Sequence, residues 1–277
     1  QSTSQIMEKT KGVKEVFILK MNQGELKSIQ DHVIIEQPLE IRIRHRGRLS
    51  QIAITMRTPG FDLDLASGFL FTEGIVTDIS DVLEYQVIDD NVIEVLLKDR
   101  ANLPDGLLHR NTFMSSSCGI CGKASLDMIK TNTQYLPWAS KFTVSQSTIV
   151  SLRDQLDEMQ NLFSITGGNH AVALFDLEAN LLHVAEDVGR HNAMDKLVGN
   201  RLQSGNLPLN KTICLLSGRA SFELIQKAMM AGIGCIVAVG APSSLAIELA
   251  EECGMTLIGF LKSEGGNVYC GKERVKI

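Results

Sequence analysis

From Thr212 to Leu261 the chain repeats one pattern: a short apolar run, a turn, then a stretch with helical spacing. The apolar runs are TICLLS, CIVAVG and MTLIGFL, and SFELIQKAMMAG and SLAIELAEECG lie between them. Strands that are apolar on both faces need cover on both faces, and amphipathic helices alternating with them supply it. This predicts a largely parallel sheet in a three-layer α/β/α arrangement. Upstream, HAVALFD and LLHVAED read as two strands joined by the turn-like LEAN, followed by the helix RHNAMDKLVGNRL. Ser147 is placed to cap a helix running to about Leu162, with apolar spacing at Ile149, Leu152, Leu156, Met159 and Phe163. The α/β unit is therefore expected over residues 145–277.

The first half reads differently. EVFIL, HVIIE, LEIRIRHRG, LSQIAITMR, LEYQVID and NVIEVLL have strand composition, several with period-two alternation. DLDLASGFLFTEGI interrupts them as a short helix suited to packing on a sheet. Residues 13–133 form a smaller, mainly β N-terminal unit, and the boundary falls near residues 133–145, so the chain is α+β overall. Residues 1–12 are polar and expected to be mobile. KDRANLPDGLLHRNTFMSSS has no sustained apolar period, and residues 98–122 are read as a mobile surface loop, a type often functional.

A chain of 277 residues is long enough for two such units. Its formal charge of -5 gives no general attraction to nucleic acid or an anionic membrane surface, so any anionic ligand must be held locally. QSTSQIMEKTKG lacks the apolar core of a signal peptide, and no apolar run is long enough to span a bilayer. The expectation is a cytoplasmic protein. In IRIRHRGR, Arg42, Arg44 and Arg46 alternate with Ile41 and Ile43, which makes one strand face basic and solvated.

The six cysteines do not form a secreted disulfide framework. Cys214 and Cys235 sit in strand-like apolar runs as buried thiols, and Met229 and Met230 are core. Cys118 and Cys121 differ: SSSCGICGK places them at the end of the polar loop, each followed by glycine, ahead of the helix-like ASLDMIKT. Four readings are open. A structural zinc site needs four ligands, and no second Cys pair exists; His170 and His191 are the remaining candidates. A disulfide exchanger carries its pair after a strand, where this chain has a polar loop. The cysteines could be incidental. The surroundings favour the fourth reading, a group-carrying thiolate. A helix N-terminus and Lys123 stabilise the charged sulfur, and Gly119 and Gly122 leave room for a bulky partner.

Two strand-to-helix turns of the C-terminal unit carry basic and acidic residues where open α/β sheets bind ligands. In EDVGRHNAMD, Asp187, Arg190 and His191 cluster at a helix mouth that favours an anion; in SGRASFE, Ser217 and Gly218 turn the chain, Arg219 can fork onto a phosphate, and Glu223 points back along the helix. The two turns are expected on neighbouring strands, converging on one crevice. TGGNH sets His170 ahead of a strand, and GFLKSEGGNVY offers Lys262 and a Gly-rich turn.

SSSCGICGK, EDVGRHNAMDKL, SGRASFELIQKAMMAGI, TLIGF and MRTPGFDLDLASGFLFTEGIV, taken together and in this order, resemble the FdhD family of formate dehydrogenase accessory sulfurtransferases. The resemblance runs from about Glu36 to Tyr269. It implies a sulfur carrier that accepts sulfur from a cysteine desulfurase as a persulfide. The sulfur then passes to a molybdenum or tungsten bis-molybdopterin guanine dinucleotide, before that cofactor enters formate dehydrogenase. Cys118 matches the persulfide cysteine and Cys121 the supporting one. The family's cofactor-binding segment falls on Phe260, Leu261, Lys262, Ser263, Glu264 and Gly265. Glu264 is a departure that shifts phosphate binding towards Arg190 and Arg219. The resemblance also implies a homodimer and a cytidine-deaminase-like C-terminal domain. Zinc deaminases place His-x-Glu and Pro-Cys-x-x-Cys at the two helix mouths. Here those mouths read GRHNAMD and SGRASFE, so no zinc is expected there. The rival functions are a non-catalytic chaperone for the cofactor or apo-enzyme, and a zinc-binding regulatory module.

Overall fold

The computed structural model describes residues 12–101, 135 and 141–277. Cys118, Cys121, Lys123, the helix expected at ASLDMIKT, most of the 98–122 loop and residues 1–11 lie outside the described residues.

The first half opens with a long hairpin, β1 (Val13–Asn22) and β2 (Glu25–Ile34), paired antiparallel. A four-stranded sheet follows in the order β4-β3-β6-β5, built from β3 (Gln37–His45), β4 (Arg48–Arg57), β5 (Val82–Asp89) and β6 (Val92–Leu97). The alternation in β3 sets its two faces. Leu39, Ile41 and Ile43 are buried, each side chain contributing about 1.5–3 kcal/mol. Arg42 and Arg44 point the other way and are neutralised by Glu40 and Glu94, so the basic face is paired. Helix α1 (Asp62–Thr72) closes this core with Leu65, Phe69 and Leu70. Its entry is held by Arg57, whose buried guanidinium donates twice to the Asp62 carboxylate at 2.9 Å.

The second half forms a six-stranded sheet in the order β13-β12-β11-β10-β8-β9. Its strands are β8 (His170–Phe175), β9 (Leu181–Asp187), β10 (Ile213–Leu216), β11 (Cys235–Ala238), β12 (Thr256–Lys262) and β13 (Gly265–Cys270). Only β10, β11 and β12 are mutually parallel neighbours; β8 is antiparallel to both β9 and β10, and β13 is antiparallel to β12. The sheet is therefore mixed, and β8 separates β9 from β10, which were expected side by side. Apolar periodicity carries no strand direction, which explains the difference. The short strands β7 (Val144–Ser145) and β14 (Val275–Lys276) pair beside it.

Three layers result. Helix α2 (Gln146–Met159) covers one face, its Ile149, Leu152 and Leu156 meeting Ile213, Leu215 and Val237. Ser145 caps it, accepting a hydrogen bond from the Thr148 N–H at 3.0 Å, in place of the expected Ser147. The helix ends before Gln160, and a separate short helix, α3 (Asn161–Thr166), carries Phe163 to the surface. Helices α4 (Arg190–Gln203), α5 (Phe222–Met230) and α6 (Ser244–Glu252) cover the other face around Cys214, Leu216, Ile236 and Leu257. Met229 and Met230 are in this core, and Cys214 and Cys235 are fully buried. Among the described residues no helix is long and apolar enough to cross a membrane.

The two halves meet through α1 and α4, and the seam is polar. Asp187 and Lys196, both buried, pair at 2.7 Å. Asp187 also accepts the Thr58 N–H at 3.1 Å, and Lys196 donates to the Thr58 carbonyl at 2.9 Å. Asn192 donates to the Met56 carbonyl and accepts from the Thr55 hydroxyl. Further along α4, Asp195 accepts from the Thr72 hydroxyl and pairs with Lys227. Buried charges persist where each is paired and hydrogen-bonded, and these all are.

Candidate functional site

Because β9, β10, β11 and β12 run the same way, their C-terminal ends share one edge of the sheet with the start of β8. That edge carries the turns leading into α4 and α5. The expected cluster of Asp187, Arg190 and His191 is only partly assembled. Asp187 is fully buried and committed to Lys196, Thr58, Gly189 and Asn192. It seats the two halves of the chain and is not available to a ligand.

Arg190 and His191 open α4, and there the chemistry is different. The Arg190 Nε is buried and has no hydrogen-bond partner among the described residues. The His191 Nε2 lies 2.9 Å from a Glu223 carboxylate oxygen and 3.5 Å from the Ser221 hydroxyl. Burial, with the positive charges of Arg190 and Lys227 and the ring of His170 nearby, pushes the His191 pKa down to about 4. The Glu223 carboxylate favours the charged ring, but these effects outweigh it. His191 is neutral near pH 7, and its Nε2–H donates to Glu223. His170 is likewise lowered, by burial and then by Arg190, against an opposing pull from Asp187.

The second turn approaches the first across β8. Ser217 donates its N–H to the Ala171 carbonyl at 3.0 Å and accepts the Ala171 N–H on its hydroxyl at 2.9 Å. Its side chain thus ties β10 to β8, with the hydroxyl proton left to donate. A Cβ on Gly218 would sit 3.4 Å from the His170 Nδ1, so the turn passes close over that ring. Arg219 is exposed, and its Cγ packs 3.0 Å from where a Cβ on Gly240 would lie. The edge therefore presents Arg190, Arg219 and two neutral imidazoles around one carboxylate, a set able to hold a phosphate-type anion.

Phe260 to Gly265 lie on the same edge, two strands along from β10. They end β12 and turn into β13, a hairpin and not a strand-to-helix mouth. Phe260 takes a left-handed backbone conformation (φ 54°), its N–H donates to the Gly240 carbonyl at 3.1 Å, and its side chain is exposed. Leu261 is 2% exposed and belongs to the core beneath α2. Ser263 is exposed in the turn, while Lys262, Glu264 and Gly265 line a cavity of about 740 Å³ with Phe260, Gln146 and Val150. None of Arg190, His191, Ser217 or Arg219 lines that cavity.

Three of the described thiols are held protonated by burial. Burial pushes the pKa of Cys214 up steeply, that of Cys235 to about 12 and that of Cys270 to about 11. No three His, Cys, Asp or Glu side chains among the described residues come together as a metal-binding set. Asp195, Glu223 and Lys227 were not read as partners. The available signal was their spacing: His191 and Asp195, and Glu223 and Lys227, are each four apart on a helix.

Comparison with known proteins extends over nearly the whole chain. It is 45% identical over 270 residues to the sulfur carrier protein FdhD of Streptomyces avermitilis, covering 94% of each chain. It is 41% identical over 266 residues to the protein of that name from Saccharolobus solfataricus, covering 95% of this chain and 98% of the relative. A crystal structure of a candidate formate dehydrogenase accessory protein from Desulfotalea psychrophila shares the fold. It superimposes with a TM-score of 0.75 at 24% identity, covering 96% of this chain and all of the other. The model of the FdhD/NarQ family matches residues 34–276. The chain belongs to the FdhD/NarQ family.

Proposed function

We propose that this protein is a sulfur carrier serving formate dehydrogenase, and that Cys118 is the residue that carries the sulfur. The observation that carries this reading is the 45% identity over 94% of both chains to a relative named as a sulfur carrier. The inert thiols at Cys214, Cys235 and Cys270 add to it, because a carrier needs a thiolate and those three are held protonated. The Cys118 thiolate attacks the terminal sulfur of a cysteine desulfurase persulfide; a new S–S bond forms, and the desulfurase cysteine leaves as its thiolate. Cys121 supports the exchange.

The substrate that receives the sulfur is a molybdenum or tungsten bis-molybdopterin guanine dinucleotide, before its insertion into formate dehydrogenase. Arg190, His191, Ser217 and Arg219 hold phosphate oxygens at the strand-end edge. Phe260, Lys262, Glu264 and Gly265 line a second subsite, with Ser263 exposed in its turn and Leu261 anchoring its backbone. The protein works as a cytoplasmic homodimer.

The test is mass mapping of the persulfide after incubation with desulfurase and cysteine. Cys118→Ala abolishes loading, and Cys121→Ala leaves the persulfide on Cys118. Undiminished loading of Cys118→Ala ends the assignment. Normal formate dehydrogenase maturation by the Cys118→Ala, Cys121→Ala double variant would make the protein a chaperone instead.

A further inference from the structure

Helices α4 and α5 are joined by two polar rungs of equal spacing. His191 and Asp195 are one turn apart on α4, and Glu223 and Lys227 are one turn apart on α5. The outer rung joins His191 to Glu223 at 2.9 Å, and the inner rung joins Asp195 to Lys227 at 2.9 Å. The outer rung stands at the mouth of the candidate site, while the inner rung is buried.

The inner rung is completed from the other half of the chain. Thr72, the last residue of α1, donates its hydroxyl to Asp195 at 2.7 Å and accepts from the Lys227 ammonium at 3.0 Å. Glu73, just past the helix, accepts from the same ammonium at 3.0 Å. The Phe69 ring lies 5.5 Å below it. Lys227 therefore satisfies three acceptors at once, one on each of α4, α1 and the turn after α1. Burial works against its charge, yet Asp195 and Glu73 outweigh that and raise its pKa, so the ammonium is retained.

An apolar pair would hold two helices together as firmly as a buried ion pair, and often more so. What directional bonds add is register. Sliding α5 along α4 would break the inner rung and carry Glu223 away from His191.

We propose that Lys227 and Glu73 are positioning residues that transmit the seating of the N-terminal half to the His191–Glu223 pair at the site mouth. This rests on the reading of that mouth as the place where the cofactor is held. A cofactor bound against Arg190 and His191 then senses whether α1 is correctly seated, and seating in turn senses the cofactor.

The test reads the His191 Nε2–H proton by NMR in full-length, ligand-free protein labelled at histidine nitrogen, with the signal assigned by its loss in His191→Asn. Glu73→Ala removes one brace from Lys227 at a side chain that is 28% exposed, so folding is retained. Exchange of the His191 proton with water is expected to rise at least threefold. Glu73→Gln keeps an acceptor oxygen for Lys227 and restores slow exchange. Asn200→Ala is the control: it breaks a 3.1 Å bond to Asp64 across the same seam but away from the ladder, and leaves the His191 signal unchanged. An acceleration below threefold in Glu73→Ala overturns the proposal, as does an equal acceleration in Asn200→Ala or no rescue by Glu73→Gln. Since no ligand is present, this outcome is independent of whether the protein carries sulfur.

Discussion

Gly68 on α1 and Gly199 on α4 stand back to back where the two helices cross. A Cβ on Gly68 would run into the Asp195 carbonyl and lie 2.8 Å from the Gly199 nitrogen; one on Gly199 would lie 2.6 Å from the Gly68 nitrogen. Those neighbours are backbone atoms, which cannot rotate aside. Alanine is the better helix former by about 1 kcal/mol, so an unobstructed site would gain from the change. Here the overlap outweighs it. Gly68→Ala and Gly199→Ala are each expected to destabilise by about 3 kcal/mol as α1 lifts from α4. Urea unfolding followed by circular dichroism checks this, and unchanged or raised stability in either variant would contradict the crossing.

The same seam contains a buried ion pair whose removal is asymmetric. Lys196→Met leaves the Asp187 carboxylate fully buried, with hydrogen bonds but no counter-charge. Breaking one partner of such a pair typically costs about 3–5 kcal/mol, whereas replacing both by apolar groups is often neutral. Thermal unfolding of Lys196→Met should show a loss of that size. A change under about 1 kcal/mol would mean that water reaches Asp187.

How much of this was readable beforehand divides along physical lines. The alternation of β10, α5, β11, α6 and β12 was legible because those strands are buried on both faces and their helices are amphipathic. Their apolar residues are thus forced into visible runs. Strand direction was not legible: β8 and β13 reverse without changing composition. Ser145 and Ser147 are both reasonable caps, and the choice depends on where the chain leaves β7. Asp195, Lys196 and Lys227 look in sequence like ordinary helix charges, Asp187 looks like a ligand group at a helix mouth, and nothing local says that the other half of the chain will bury them. The Gly-rich GFLKSEGGNVY resembles a phosphate loop, but it serves equally as a hairpin turn, and here it does.

His183 lies on β9, and burial, helped by the charge of Arg201, pushes its pKa down to about 4. An unfolded histidine takes up its proton near pH 6.5. Between these values the unfolded chain binds more protons than the folded one, so stability falls as pH drops from about 6.5 to 4. His183→Gln removes this contribution. Because the ring keeps some water contact, the effect is about 2 kcal/mol across that window, less than the full shift implies. Urea midpoints from pH 7 to pH 4 should fall less steeply for the variant than for the wild type. Parallel curves would show that His183 takes up its proton at the same pH folded and unfolded.

Leu261, Lys262 and Arg219 separate packing from binding. Leu261 is in the core under α2, so Leu261→Ala should cost about 2–5 kcal/mol of stability. Its effect on the affinity of the folded protein for a guanine nucleotide diphosphate should be small. Lys262 and Arg219 are both exposed, and neither forms an ion pair among the described residues. Their alanine variants should keep the wild-type unfolding midpoint. If phosphate oxygens are held at the strand-end edge, Arg219→Ala loses a charge-assisted bond and weakens the nucleotide by about tenfold or more, at roughly 1.5–3 kcal/mol per such bond. Lys262→Ala reports on the cavity beside α2 instead. Titration calorimetry on the three variants decides which place the diphosphate occupies. A loss confined to Lys262→Ala would move it to the β12–β13 hairpin, leaving the Arg190 and Arg219 edge without that role.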